Sequence, residues 1–169
     1  EEDHIALSQL AAWSEQFSPI VGIESAEQPS ALLLDITGLA PIFGGEPRIL
    51  ELVRQAFSDR HYKVHLGVGD TVGAAWARAH FGAPHDQNCD LLELPVQALR
   101  LEPPILDLLQ QLGITSIAQL LQIPRQALAT RLGNATLQRL DQLLGKQTEV
   151  IVAHRAAPNF EVEWQLEHP

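Results

Sequence analysis

Residues 31–45 read Ala-Leu-Leu-Leu-Asp-Ile-Thr-Gly-Leu-Ala-Pro-Ile-Phe-Gly-Gly, and the reading of the rest depends on them. Ala31 to Leu34 are apolar without a break, the pattern of a strand buried on both faces. Asp35 interrupts that run, and Thr37-Gly38 and then Phe43-Gly44-Gly45 supply turn chemistry. Working outward to the N-terminal side, Ile20-Val21-Gly22-Ile23 reads as a strand. Glu27-Gln28-Pro29 turns it back into the 31–34 run as an antiparallel pair. Ahead of it, Ile5, Leu7, Leu10, Ala11, Ala12 and Trp13 predict a helix over 3–16, with Asp3 as N-cap and Ser18-Pro19 as breaker. On the C-terminal side, Ile49, Leu50, Val53, Ala56 and Phe57 form the inner face of a helix over 46–60, with Pro47 in its first turn. Tyr62, Val64 and Leu66 alternate with Lys63, His65 and Gly67, which predicts a third strand. An Ala-rich helix follows over 71–81, ended by Gly82-Ala83-Pro84. Strands interleaved with packing helices make the class α+β.

The character changes at 83–95, where periodicity lapses, and a domain boundary is expected there. The ranges that follow from it are 1–95, a helical unit over 96–147, and an extended stretch over 148–169. In the helical unit, Ile105, Leu106, Leu108, Leu109 and Leu112 form one apolar stripe. Gly113-Ile114-Thr115 is a turn, and Thr115 or Ser116 caps the next helix, with Ile117, Leu120 and Leu121 inward. Pro124 opens another helix, and Gly133-Asn134 turns into a last one that Gly145 closes. Near the end, Phe160, Val162, Trp164 and Leu166 alternate with polar residues, a strand pattern.

Of the 169 residues, 46% are hydrophobic and 19% charged, the balance of a packed globular protein. A single cysteine, Cys89, excludes an internal disulfide and a multi-cysteine zinc site, and fits a cytoplasmic location. No apolar run approaches the roughly 20 residues of a membrane span, and no signal segment opens the chain. There is no methionine, which reads as a segment of a longer protein. The net charge of −10 opposes non-specific nucleic-acid binding. Residues 1–95 hold five Lys/Arg against fourteen Asp/Glu, whereas 100–146 carry a net +2, so any DNA contact is expected in the latter.

The central stretch also carries a resemblance. Y-family (translesion) DNA polymerases have a Ser-Ile-Asp-Glu motif, then a small residue, an aromatic and Leu-Asp-x-Thr. Leu33-Leu34-Asp35-Ile36-Thr37 matches the second half, while Ser30 and Ala31 stand where the acidic pair would be. Leu-Leu-Leu-Asp-Ile-Thr-Gly running into Phe43-Gly44-Gly45-Glu46 resembles the ImuB-like group, the non-catalytic Y-family-like proteins of bacterial inducible mutagenesis. The order of elements, with Leu94 to Leu101 and Leu112-Gly113-Ile114-Thr115, is similar to a palm followed by a thumb. The resemblance implies a partial Y-family palm, a mixed sheet with packing helices, over 1–95. It implies a small helical thumb of helix-hairpin-helix-like character over 96–147, and the start of a little-finger-like domain beyond. It further implies a scaffold in DNA-damage-induced mutagenesis and translesion synthesis (the SOS response), with an ImuA-like accessory protein, an ImuC-type error-prone polymerase, a sliding clamp and RecA as partners.

Two-metal nucleotidyl transfer needs clustered carboxylates, and neither a hydroxyl nor a methyl replaces one as a metal ligand. Asp35 lies more than roughly 10 Å further along the strand and reads as a turn residue. Gly67-Val68-Gly69-Asp70-Thr71-Val72 follows the frame of the family's nucleotide-gripping segment without its Asn and Lys. No catalytic residue, metal or cofactor is therefore expected. The family's Pro-Gly-Ile-Gly hairpin falls on Leu99-Arg100-Leu101-Glu102, without either glycine. The alternative reading is a DNA-binding repair module gripping primer-template through Gly113, Thr115, Arg125, Arg131, Gly133 and Asn134; helix capping and a solvated basic face account for the same residues. His80, His85, Asp86, Cys89 and Asp90 cluster in composition only, in no zinc spacing.

Overall fold

The computed structural model describes residues 2–83 and 89–154, and these fall into two units. The smaller comprises 2–35 and returns at 152–154. The larger comprises the described part of 36–151.

In the smaller unit, helix α1 (Glu2–Ser14) precedes strands β1 (Val21–Ile23) and β2 (Leu32–Leu34). The strands pair antiparallel in the register Val21↔Leu34, Gly22↔Leu33, Ile23↔Leu32, which is the expected hairpin. Asp3 lies inside α1 rather than capping it; an acid in the first turn still complements the helix dipole. The hairpin is fastened by Ser18. Its buried hydroxyl donates to the Asp35 carbonyl at 2.6 Å and accepts from the Ile20 N–H at 3.1 Å. Ala153 bridges Gly22 on the free side of β1, and the His154 N–H donates to the Val21 carbonyl at 2.7 Å. Ala11, Phe17 and Val21 form the apolar centre, with Trp13 edge-on to Phe17 at 5.5 Å.

The larger unit contains α2 (Ala40–Phe43), α3 (Glu46–Asp59), α4 (Val72–Phe81), a 3₁₀ turn (Val96–Leu99), α5 (Pro103–Gln111), α6 (Ile117–Leu121) and α7 (Arg125–Leu143). α3 buries Ile49, Val53 and Phe57, the face its periodicity predicts. The main core joins Ala77 of α4 to Leu94, Val96, Leu99, Leu109, Ile117, Leu120, Leu128, Leu132, Leu140 and Leu143. Residues 91–96 run alongside 115–118, with Val96 N–H to Thr115 O, Ile117 N–H to Leu94 O and Ala118 N–H to Leu92 O.

Seven α-helices and one two-stranded sheet among the described residues make an α+β chain. The expected third strand at Tyr62–Gly67 does not form; 62–69 is irregular backbone. The alternation there is real, but the chain is pressed onto α4. A Cβ on Gly67 would lie 2.2 Å from the Ala75 carbonyl oxygen, and one on Gly69 2.8 Å from the Ala74 Cβ. Arg78 Nη1 donates to the Val68 carbonyl at 2.7 Å, so a side chain takes an acceptor that a sheet ladder would use. The strand pattern at Phe160–Leu166, and His85 and Asp86, lie outside the described residues. Among the described residues no helix is long and apolar enough to cross a membrane.

Candidate nucleic-acid interface

The turn between α5 and α6 is built by local rules. Gly113 takes φ 72° at the position after the α5 cap. Its N–H donates to Gln110 O at 3.0 Å and the Ile114 N–H to Leu109 O at 2.9 Å, the Schellman closure that favours glycine. Ser116 is the N-cap of α6 in a capping box with Gln119. Thr115 adds its N–H at 2.7 Å and its hydroxyl at 3.2 Å to the same Gln119 Oε1. With Ile117 and Ala118 donating to Leu94 and Leu92, the backbone N–H groups from 113 to 119 are all bonded within the fold. A phosphate approaching Gly113 or Thr115 meets no spare amide.

α7 breaks at Gly133, with φ 82° and ψ 165°, backbone that is essentially restricted to glycine. The break gives the expected turn, and both Gly133 and Asn134 are exposed. Arg131, two residues earlier, is exposed and makes no ion pair among the described residues. Arg125 differs. It holds Asp141 bidentately, Nη1 to Oδ1 at 2.8 Å and Nη2 to Oδ2. The Arg125 guanidinium, by hydrogen bond more than by charge, holds the Asp141 carboxyl below its usual range against the opposing effect of burial. Arg125 is raised in turn, chiefly by the same hydrogen bond. Of the six candidates, then, Gly113 and Thr115 are occupied in capping and Arg125 is neutralised. Arg131, Gly133 and Asn134 gather at one exposed break.

The Arg125–Asp141 pair has a pH signature. Asp141 is depressed on folding, so its contribution is complete above the ordinary carboxylate range and is lost as pH falls through the lowered value. Arg125→Ala is expected to shrink the loss of stability between about pH 5 and pH 2. Urea midpoints across that range check it, and a slope equal to that of the unaltered chain would remove the pair from the acid response.

At the hairpin end, the Ser30 N–H donates to Glu24 Oε2 at 3.2 Å. No group of three His, Cys, Asp or Glu residues able to hold a metal occurs among the described residues. His80 stacks on Trp76 at 3.8 Å, Cys89 is a half-buried free thiol, and Asp90 Oδ1 accepts the Leu92 N–H at 2.9 Å.

The segment Leu99-Arg100-Leu101-Glu102 joins the 3₁₀ turn to α5 without glycine. Arg100 itself adopts φ 55°, ψ 40°, and its side chain explains why. Nη1 and Nη2 grip Glu149 at 2.8 and 2.6 Å, and the guanidinium lies 5.6 Å from the Trp76 ring centre. Arg139 Nη1 reaches the same carboxylate at 3.2 Å. Sequence reasoning missed this cluster, because its members lie up to 49 residues apart from Arg100 to Glu149.

The chain is α+β, with Ser30 and Ala31 just ahead of β2 and side-chain caps at the starts of α4 and α6. Its relatives place it further: the chain is 37% identical over 166 aligned residues to Protein ImuB of Caulobacter vibrioides strain NA1000 / CB15N. The same figures hold for Protein ImuB of strain ATCC 19089 / CIP 103742 / CB 15. The match takes in 94% of this chain, which is an ImuB homologue across that span, and 36% of the relatives. The chain therefore spans about a third of the length of the curated relatives it matches. No family model matches, and no solved structure does.

Proposed function

We propose that this chain serves in a non-catalytic, Y-family polymerase-like scaffold of bacterial DNA-damage-induced mutagenesis and translesion synthesis. The scaffold assembles an ImuC-type error-prone polymerase with an ImuA-like accessory protein and RecA at the sliding clamp. The observation that carries this reading is the similarity to ImuB along nearly the whole chain. Ser30 and Ala31 at the end of the hairpin support the absence of catalysis. In this reading 1–95 is palm-like, 96–147 thumb-like, and 148–169 leads into a little-finger-like domain. The acidic balance of residues 1–95 suits protein contacts better than a grip on DNA.

A second reading, a thumb that still holds primer-template, is favoured by one observation: Arg131 stands exposed and unpaired beside the Gly133 break. One set of experiments separates the two. Purified partners are passed over the immobilised chain, primer extension is assayed with Mg²⁺ and Mn²⁺, and anisotropy of a labelled primer-template is followed at low and physiological salt. The scaffold reading expects capture of a partner and no extension; extension of the primer would overturn it. The DNA reading expects binding that falls with salt and is weakened by Arg131→Ala but not by Arg125→Ala. Absence of binding at low salt would retire it for this chain.

A further inference from the structure

We infer that the larger unit carries an anion site, a cleft beside the last turn of α4 that takes a single phosphoryl group. Its basic lining is Arg54 from α3, His65 from the irregular 62–69 segment and Arg78 from α4, with Val64, Leu66 and Gly82 among its walls. No carboxylate lines it among the described residues.

Three observations point to an anion. First, the cleft gathers cations on a chain with a net charge of −10. Elsewhere in the same unit four arginines find acids, Arg48 with Glu51, Arg100 and Arg139 with Glu149, and Arg125 with Asp141, while Arg131 stands exposed at the Gly133 break. Arg54 and Arg78 have no such partner among the described residues. Second, Arg78 Nε is buried with no hydrogen-bond acceptor among the described residues. A buried donor without an acceptor is rare, because it forfeits its water without replacement, and it commonly marks a place for an ion or water. The position of Arg78 in the last turn of α4 accounts for its charge, and Val68 accounts for one of its nitrogens. Neither accounts for Nε, nor for Arg54. Third, the cleft has a volume of about 190 Å³, below the roughly 300 Å³ at which pockets for drug-sized ligands begin. A phosphoryl group fits such a volume. Arginine forks and a ring N–H suit the tetrahedral oxygens of such a group. The group is either a free phosphate ion or a phosphate carried on a nucleic-acid strand. The site shares no lining residue with the Gly133 break and does not depend on the reading of that break.

The test is an NMR titration of the arginine Nε–H signals of the full 169-residue chain. Inorganic phosphate is added at constant ionic strength, up to about 50 mM, enough to saturate a millimolar site. Saturable shifts at Arg54 and Arg78 are expected, displaced by sulfate and weakened about tenfold or more in Arg54→Gln, the loss of one charge-assisted hydrogen bond. The Arg54 side chain makes none of the hydrogen bonds described above, so Arg54→Gln breaks none of them, and Arg78→Lys, which keeps the charge without the fork, is the second variant, expected to weaken the shift at Arg54 as well. A 5′-phosphorylated trinucleotide and its unphosphorylated counterpart form the other arms. Tighter binding of the trinucleotides at the same two signals identifies a nucleic-acid phosphate, and binding of inorganic phosphate alone identifies the free ion. Shifts that do not saturate, or that persist unchanged in Arg54→Gln, overturn the proposal.

Discussion

Glu149→Ala is expected to destabilise the larger unit by about 2–3 kcal/mol, near the lower end of what is lost when one member of a buried ion pair is removed. The expectation rests on asymmetry. The Arg100 and Glu149 side chains are only 14% and 17% exposed, so water replaces little of what the carboxylate supplies. Removing Glu149 leaves two guanidiniums, Arg100 and Arg139, facing each other across a vacated position. Arg100 Nε is already buried without a partner among the described residues, so the loss falls on a group with little to spare. Arg100 must also hold left-handed backbone, which costs roughly 1 kcal/mol or more for a residue with a Cβ, and the grip on Glu149 offsets that cost. Urea denaturation followed through the Trp76 signal measures the effect, since the guanidinium lies 5.6 Å from that ring. A double-mutant cycle with Arg100→Ala isolates the pair. The cycle should show coupling that survives high salt, because a half-buried pair is screened far less than a surface one. A loss below about 0.5 kcal/mol would put the pair among ordinary surface bridges and remove it as the link between Glu149 and the end of the Val96–Leu99 turn.

Much of the fold was legible in the sequence where neighbours in the chain are also neighbours in space. The hairpin of β1 and β2 followed from two apolar runs and a Pro-containing turn. The α3 face followed from a helical period, and the α5 closure from one glycine at the end of one stripe. The failure at 62–67 is instructive in the same terms. Tyr62, Val64 and Leu66 alternate as a strand does, and only the approach of α4 to Gly67 and Gly69, a tertiary fact, decides that they do not pair. The candidate site was legible in its turns and not in its charges. Arg125 and Asp141 were both visible, but their pairing spans 16 residues and no local spacing announces it. Arg54, His65 and Arg78 carry no spacing signal at all. Their convergence depends on how α3, the irregular segment and α4 pack together.

Gly67→Ala is expected to cost about 3 kcal/mol or more, at or beyond the upper end of overpacking by one methyl group. The added Cβ would sit 2.2 Å from the Ala75 carbonyl oxygen and 2.4 Å from the Ala79 nitrogen. Both are backbone atoms of α4, held by the helix itself, so no rotamer change relieves the clash. Either the 62–69 segment lifts away, exposing the side of α4 that Leu66 and Val68 flank, or α4 shifts against a core that includes Ala77. Two further glycines turn this into a graded series. Gly69→Ala meets the Ala74 Cβ at 2.8 Å and the Ala75 nitrogen at 2.9 Å, a lesser overlap that costs less. Gly38→Ala meets nothing within 4 Å and carries only the strain of φ 74°, so it should cost about 1 kcal/mol. Urea midpoints with unchanged slope should therefore fall in the order Gly38, Gly69, Gly67, and amide exchange along α4 should quicken most in Gly67→Ala. The same substitution reaches the anion cleft, because Val64, His65 and Leu66 lie just ahead of Gly67 in the chain. A Gly67→Ala chain as stable as the Gly38→Ala one would mean that the segment is free to leave α4, and the close packing offered here as the reason no third strand forms would fall with it.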